Sequence, residues 1–176
     1  SYGRAVEKHA VVVGGSGVYD QFREGTPGIA IPRNETRSSI GLFIQDTVDL
    51  TDKFSLEAGF RVDHAKNYGT FALPRVSVLY KFSEHLTMRV GFGLGYKTPT
   101  MFTEEAEERL FRSVAPVGNS LKAEQSKGGT FDVNYRNTIG EKFSYSINQM
   151  FFFTEITGPI ILRPDVNNVF RFGNAS

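Results

Sequence analysis

Apolar and polar residues alternate one by one along several long stretches of this chain. Between residues 54 and 64 the apolar positions are Phe54, Leu56, Ala58, Phe60 and Val62, and small or polar residues lie between them. The stretches 72–82, 86–97 and 143–153 repeat the pattern, and the stretch 86–97 places Tyr96 on its apolar face. A two-residue period is typical of a strand with one apolar and one polar face. We therefore predict an all-β, antiparallel fold.

The alternating stretches are unusually long. Each continues for about ten to thirteen residues, whereas strands of globular proteins usually have about five or six. At about 3.3 Å per residue and a tilt near 40°, such a strand rises about 30 Å, enough to cross the apolar layer of an outer membrane. The pattern predicts about eight strands, at 8–20, 37–51, 53–65, 70–82, 86–97, 124–137, 142–156 and, more weakly, 166–173.

The connections between these strands differ in length on the two sides. Short polar turns at 51–53, 83–85 and 138–142 alternate with connections at 20–37, 66–69 and 98–124. Bacterial outer-membrane barrels have short periplasmic turns and long extracellular loops, and aromatic residues at both interfaces. Aromatic residues lie near the predicted strand ends, at Tyr68, Phe71, Tyr80, Phe82, Tyr96, Phe102 and Tyr135. The sequence therefore predicts a transmembrane β-barrel wall with an inside and an outside.

The composition excludes several kinds of chemistry but says little about the fold. The 176 residues carry a formal net charge of +1 and no cysteine, so we expect neither nucleic-acid binding nor thiol or disulfide chemistry. No stretch of 18 apolar residues is present, so no transmembrane helix is predicted. The chain begins with Ser1, and we expect it to be a mature piece or a fragment.

Five short motifs, taken in order, resemble the C-terminal barrel of TonB-dependent outer-membrane receptors. The motifs are Phe43–Asp46 (F-x-Q-D), Gly59–Asp63 (G-x-R-x-D), Pro74–Arg75, the glycine-rich run Gly91–Pro99, and Leu121–Glu124. In the last motif Ala123 stands where the family usually has proline. The resemblance covers residues 37–156, and the run Phe151–Ile156 is similar to receptors of Bacteroidetes-type bacteria.

This resemblance implies a 22-stranded barrel with a plug domain, of which residues 1–176 would form a partial barrel domain without the plug. It also implies an outer-membrane receptor of a Gram-negative bacterium that takes up a large nutrient such as an iron–siderophore chelate, without enzymatic activity. The implied partners are outer-membrane lipid, the chelate, and the TonB complex acting through the missing plug. Two alternatives stay open, a soluble β-sandwich or lipocalin-like binding module and a small closed outer-membrane barrel.

The candidate ligand-binding residues are charged residues of the predicted polar face and residues of the long loop 98–122. They are Arg61, Asp63, Arg75, Lys97, Phe102 and Arg109. The charged strand residues could instead form ion pairs between strands or to the plug. In the loop, Phe102, Ala106, Arg109 and Leu110 have helical spacing, so a short helix is predicted there.

We expect no catalytic group, metal site or cofactor. The four glutamates between residues 104 and 108 would be scattered around a helix, where they are more typical of a solvated face than of a cation site. His9, His64 and His85 share no spacing that zinc ligands use.

Overall fold

The fold is a single antiparallel wall with a small hairpin at one end. A computed structural model describes residues 8–25, 33–109, 111, 113–118, 120–140 and 142–175. Seven strands lie side by side in chain order, each antiparallel to the next. They are β1 (Lys8–Phe22), β2 (Glu35–Thr51), β3 (Phe54–Ala65), β4 (Gly69–Lys81), β5 (Leu86–Lys97), β6 (Glu124–Ile139) and β7 (Phe143–Thr157). The other elements are the helix α1 (Glu104–Glu108) and the strands β8 (Ile160–Pro164) and β9 (Phe170–Asn174).

The alternation seen in the sequence becomes two different faces of this wall. Ile44 of β2 lies opposite Phe60 of β3, and Phe60 lies opposite Pro74 of β4, so apolar side chains share one face. This apolar face is bare: Leu42 is 68% exposed and Phe153 is 68% exposed. Exposed apolar surface of this extent fits contact with lipid. We call the opposite side, which carries Asp63 and Arg75, the polar face.

In the described part of the chain, most of the buried apolar residues lie outside the wall strands. Among the described residues, four of the six buried hydrophobic side chains belong to the connection between β5 and β6, namely Met101, Ala106, Val114 and Leu121. A soluble sandwich would instead bury one apolar face of each sheet against the other. The sandwich alternative is therefore wrong for this wall.

The connections confirm the predicted asymmetry. At one rim the connections are short: two residues join β2 to β3, four join β4 to β5, and three join β6 to β7. In the connection from β4 to β5, the Ser83 hydroxyl accepts bonds from the backbone N–H groups of His85 and Leu86. The opposite rim, which we call the loop rim, carries the long connections 23–34 and 98–123. Its third connection is a tight turn in which Asn67 and Gly69 have positive φ.

The eighth predicted wall strand, 166–173, is wrong. Gly158 has a φ of +64° and precedes Pro159, which has no N–H, so β7 ends at the loop rim. The chain then forms the short antiparallel hairpin β8–β9, which pairs with no wall strand in the described part of the chain. The wall therefore has seven strands.

The sheet has two unpaired edges, β1 and β7, within the described ranges. A closed barrel would require these two strands to pair. The alternative of a small closed barrel is therefore not what this chain forms. None of the described helical residues forms a helix long and apolar enough to span a bilayer.

Candidate functional site

Asp63 is the centre of a hydrogen-bonded network on the polar face, two residues below the loop rim. Its Oδ1 accepts a bond of 2.7 Å from Arg61 Nε, and its Oδ2 accepts one of 3.2 Å from the Tyr96 hydroxyl. Arg61 also donates from Nη2 to the Ser16 hydroxyl oxygen at 2.8 Å. Asp63 is only 5% exposed, so its charge is stabilised by these donors rather than by bulk water. The network joins β1, β3 and β5.

Gly41 makes the space for this carboxylate. It is directly opposite Asp63 in the register of β2 and β3. A Cβ atom added at Gly41 would lie 1.9 Å from Asp63 Oδ1 and 3.0 Å from Arg61 Nη2. Any side chain at this position must therefore displace the carboxylate.

Tyr96 reaches Asp63 because the ladder between β4 and β5 stops early. Pairing between these strands ends at Arg75 and Gly93, and the next residue of β4, Pro74, has no N–H to donate. Above this point the Tyr96 ring stacks on the Phe71 ring, with centroids 4.0 Å apart and an interplanar angle of 9°. The prediction that Tyr96 belongs to the apolar face is therefore wrong.

Arg75 forms a separate ion pair farther from the loop rim. Its Nη2 donates to Glu57 Oε1 on the neighbouring strand at 2.7 Å, and its side chain is 61% exposed. An exposed pair of this kind contributes little to stability, about 0–1 kcal/mol. The predicted interstrand ion pairing is confirmed for Arg75, which keeps most of its surface accessible.

Phe102 belongs to an aromatic cluster that joins the two long connections. Its ring meets Phe22 at 5.1 Å and Phe111 at 6.0 Å, both near right angles. Arg33 Nη1 donates to the Phe111 carbonyl oxygen at 2.5 Å, and the guanidinium lies 5.8 Å from the Phe111 ring centroid. These contacts link residues 23–34 to residues 98–123.

The Arg33–Glu24 ion pair fixes the position of Arg33, which bonds the aromatic cluster at Phe111. Arg33 donates to the Glu24 carboxylate from Nε, Nη2 and its own backbone N–H, and both side chains are largely buried. The side-chain bonds and then the backbone bond lower the pKa of Glu24 to about 2. The same contact raises the pKa of Arg33. The pair therefore stays charged in all but strong acid.

Glu35, at the first residue of β2, anchors the start of the long connection. One of its oxygens accepts from the Met101 backbone N–H at 3.0 Å and from the Thr100 hydroxyl at 3.4 Å. The other lies 3.1 Å from Arg37 Nε. Thr100 and Met101 are buried, so the connection leaves β5 along a defined path.

Arg109 and the hairpin complete the assembly at the loop rim. The Arg109 guanidinium carbon lies 3.8 Å from the centroid of the Phe170 ring, a cation–π distance. Phe170 also exchanges backbone bonds with Ser113 and Ala115. Asn174 bonds both the N–H and the carbonyl of Lys122. We call residues 23–25, 33–34, 98–109, 111, 113–118, 120–123 and the β8–β9 hairpin the loop assembly.

The predicted helix is confirmed as α1, with the Thr103 side chain accepting the Ala106 N–H at its start. Leu110 lies outside the described residues. Glu104, Glu105, Glu107 and Glu108 are exposed, as expected for a solvated helical face. Among the described residues no group of three or more His, Cys, Asp or Glu side chains is placed to hold a metal ion.

The six candidate residues therefore do not form one pocket. Arg61 and Asp63 are bonded to each other, Arg75 pairs with Glu57, and Phe102 and Arg109 belong to the loop assembly. Lys97 is exposed and has no ion pair in the part of the chain that the structure describes. Six further residues of these networks were not among the predicted site residues: Ser16, Glu24, Arg33, Glu35, Gly41 and Tyr96. Only Gly41 carried a usable signal, since it lies inside an alternating strand.

Replacing Gly41 by alanine is expected to destabilise the protein by about 1–3 kcal/mol, because Asp63 must leave its donors or take a strained position. Gly17→Ala, on the neighbouring strand, is the matched control, since nothing lies within 4 Å of its added Cβ. Denaturant unfolding of the full-length protein in bilayers measures both. Equal stability of the two variants would contradict the close approach at Gly41.

Acid is expected to release the link between the long connections only below the ordinary carboxyl range. A lowered pKa stabilises the folded state above the unfolded value of 4.5, and this stabilisation is lost as the pH falls towards about 2. Pepsin, which is active in acid, should cleave near Phe102 and Phe111 faster in Glu24→Gln than in the parent protein at pH 4. The two rates should converge near pH 2. A constant ratio across this range would refute the role of the Glu24 charge.

Comparison with known proteins identifies the wall. The family described as "TonB dependent receptor-like, beta-barrel" matches residues 4–176. The iron-regulated outer membrane virulence protein of Vibrio cholerae serotype O1 is 27% identical over 140 residues, which are 79% of this chain and 20% of that protein. The probable TonB-dependent siderophore receptor PirA of Acinetobacter baumannii is 28% identical over 89 residues, 50% of this chain and 11% of that protein.

Solved structures give the same fold. The siderophore receptor PirA from Pseudomonas aeruginosa superposes with a TM-score of 0.75 at 17% identity, covering 98% of this chain and 32% of that chain. The ferric enterobactin receptor PfeA superposes with a TM-score of 0.70 at 15% identity, covering 96% of this chain and 29% of that one. The chain thus spans about a fifth or less of the curated relatives named above. It belongs to the TonB-dependent receptor β-barrel family and is part of the wall of an outer-membrane receptor.

Proposed function

We propose that the complete receptor takes up a large iron chelate of the siderophore type across the outer membrane of a Gram-negative bacterium. This chain supplies wall and extracellular loops. The loop assembly captures the chelate, and a plug domain outside this chain then rearranges under the action of the TonB complex. Outer-membrane lipid surrounds the apolar face throughout. Two of the relatives carry names that support this proposal, since both PirA proteins are called siderophore receptors.

The observation that carries the proposal is the position of the loop assembly. It lies at the loop rim, which is the extracellular rim in this family, and it is linked to the wall strand β2 through Glu35. Below it, on the face that lines the barrel, are Arg61 and Arg75. A ligand entering from outside would meet aromatic and cationic side chains first and the polar wall next.

The open edges of the wall argue that this chain alone does not enclose the chelate. The cavity beside Asp20, Arg37, Tyr68 and Tyr96 has a volume of about 170 Å³, and the cavity beside Phe71, Leu94 and Ser126 has a volume of about 500 Å³. Both lie along one sheet whose edge strands β1 and β7 are unpaired among the described residues. The remaining barrel strands and their loops are therefore needed to complete the site.

The six candidate residues would divide into two roles. Arg75, Lys97, Phe102 and Arg109 are exposed and can contact a ligand directly. Asp63 is buried and bonded to Arg61, so these two would position the wall beneath the loops. Removal of Arg61 is thus expected to act through folding as well as through binding.

Replacing Arg109 by glutamine should weaken binding of a ferric siderophore by roughly tenfold, the effect of losing one charge-assisted contact. The assay is equilibrium binding to the full-length receptor with catecholate, hydroxamate and carboxylate chelates. Phe170→Leu is the matched control, because it removes the ring under Arg109 and leaves the charge. Lys142→Gln, at the opposite rim, controls for charge alone.

Three results would count against the proposal. If the parent receptor binds none of the three chelate classes, the proposed function fails. If it binds one of them and Arg109→Gln binds as tightly as the parent, Arg109 does not contact the chelate. Equal losses of affinity in Arg109→Gln and Phe170→Leu would mean that Arg109 acts only through the packing of the hairpin.

A further inference from the structure

The β8–β9 hairpin presents two arginines side by side on its outer face. Its inner face, which includes Phe170 and Asn174, is bonded to the connection 98–123. Side chains of the outer face point away from these contacts, since neighbouring residues of a strand face opposite sides. Arg163 lies directly opposite Arg171 in the hairpin register, and both side chains are exposed.

This arrangement is unfavourable in an isolated hairpin. Cross-strand partners have Cβ atoms about 4.5–5.5 Å apart, and like charges directly opposite each other destabilise the pair. No hydrogen bond or ion pair to the Arg163 side chain occurs among the described residues. An anionic residue, Asp165, lies at the hairpin turn and accepts a bond from Arg171.

Asp165 does not neutralise the two arginines. Its Oδ1 accepts from the backbone N–H groups of Asn167 and Val169, and its Oδ2 accepts from Arg171 Nε at 2.9 Å. The bonds from Arg171 and from the turn hold the pKa of Asp165 below its usual range. The carboxylate is therefore occupied in shaping the turn and orienting Arg171. The two Nη groups of Arg171 make no bond to the described part of the chain.

We propose that Arg163 and Arg171 form an extracellular binding site for an oxyanion of the phosphate type. Guanidinium groups bind phosphate and carboxylate oxygens with paired, charge-assisted hydrogen bonds. A tetrahedral phosphate has enough oxygens to accept from both arginines at once, and it removes the repulsion between them. This site is distinct from the contacts of Arg109 and Phe170, because it lies on the face of the hairpin that turns away from residues 98–123.

Such a group can come from two sources. One is the phosphorylated sugars of the glycolipid surface around the receptor, and the other is an anionic substituent of a chelate. The shared chemistry is an oxyanion with at least two free acceptor oxygens. Binding experiments with separate probes distinguish the two.

The test uses the full-length receptor in detergent free of glycolipid. The probes are a phosphorylated core oligosaccharide, the same oligosaccharide after enzymatic dephosphorylation, and a ferric chelate with free carboxylates. Inorganic phosphate serves as competitor. The variants are Arg163→Gln, Arg171→Gln, the double variant and Arg163→Lys, with Lys142→Gln as the charge-matched control.

We expect each single glutamine variant to lose roughly tenfold in affinity for the phosphorylated oligosaccharide, the double variant to lose more, and Lys142→Gln to stay within about twofold. Arg163→Lys should fall between, because it keeps the charge and loses the planar fork. Without any anion, hydrogen exchange of the β8 and β9 amides should be no faster in Arg163→Gln than in the parent. A purely structural role for Arg163 would make it faster.

The proposal is overturned if neither the phosphorylated oligosaccharide nor the carboxylate chelate loses affinity in the glutamine variants. It is also overturned if Arg163→Gln loosens the hairpin in the absence of anion. If only the chelate binds in an arginine-dependent way, the oxyanion belongs to the transported chelate. If only the phosphorylated sugar does so, the oxyanion belongs to the glycolipid of the cell surface. If the receptor binds the phosphorylated sugar through Arg163 but binds no ferric siderophore, the oxyanion site is supported and the proposed function in siderophore uptake is refuted.

Discussion

The structure depends on one constraint, that backbone N–H and C=O groups inside a lipid layer must bond to each other. Water is absent there, and each unsatisfied group costs several kcal/mol. Between β1 and β7 the strands meet this requirement through antiparallel ladders that join each strand to the next. The ladder between β4 and β5 is shorter, and its missing part lies near the loop rim. There Pro74 removes a donor, and the Tyr96 ring lies against Phe71 where the ladder has ended. The exception occurs near the water-exposed end, where the constraint is weakest.

The same ladders position the residues proposed to act in uptake. Because side chains alternate along the paired strands β2 and β3, Asp63 and Arg61 lie on the face opposite Val62, and Gly41 lies beside Asp63. The buried Asp63 carboxylate accepts bonds from Arg61 and Tyr96, and Arg61 in turn donates to Ser16, so this network ties three strands together just below the loop rim. Above it, Glu24–Arg33 and Glu35 fasten two long connections to each other and to β2. The loops are thus held on a rigid support, which suits capture of a large ligand at the mouth of a barrel.

The strands and their faces were predictable because period-two alternation is a local property. Strand β3 was predicted to within one residue at its start, and the helix near Ala106 was expected from its spacing. The network around Asp63 was not predictable, because it joins Ser16, Arg61 and Tyr96 from strands far apart in sequence. Tyr96 changes face only because the ladder next to it ends, which depends on the pairing partner and not on its own neighbours. The hairpin was mistaken for a wall strand since five-residue strands alternate as long ones do, and only the turn at Asp165 and the break at Gly158 distinguish them.

Strand register, and not the hydrophobicity of single residues, decides which side chains meet lipid. Leu79 tests it most directly, because it is apolar yet lies opposite Ser55 and Arg89, on the polar face, while Val78 lies on the apolar face. Single cysteines at these two positions of a cysteine-free full-length receptor in bilayers can be labelled with a lipid-soluble and a water-soluble maleimide. We expect position 78 to react with the lipid-soluble reagent and position 79 with the water-soluble one. Labelling of both positions from the lipid side would contradict it.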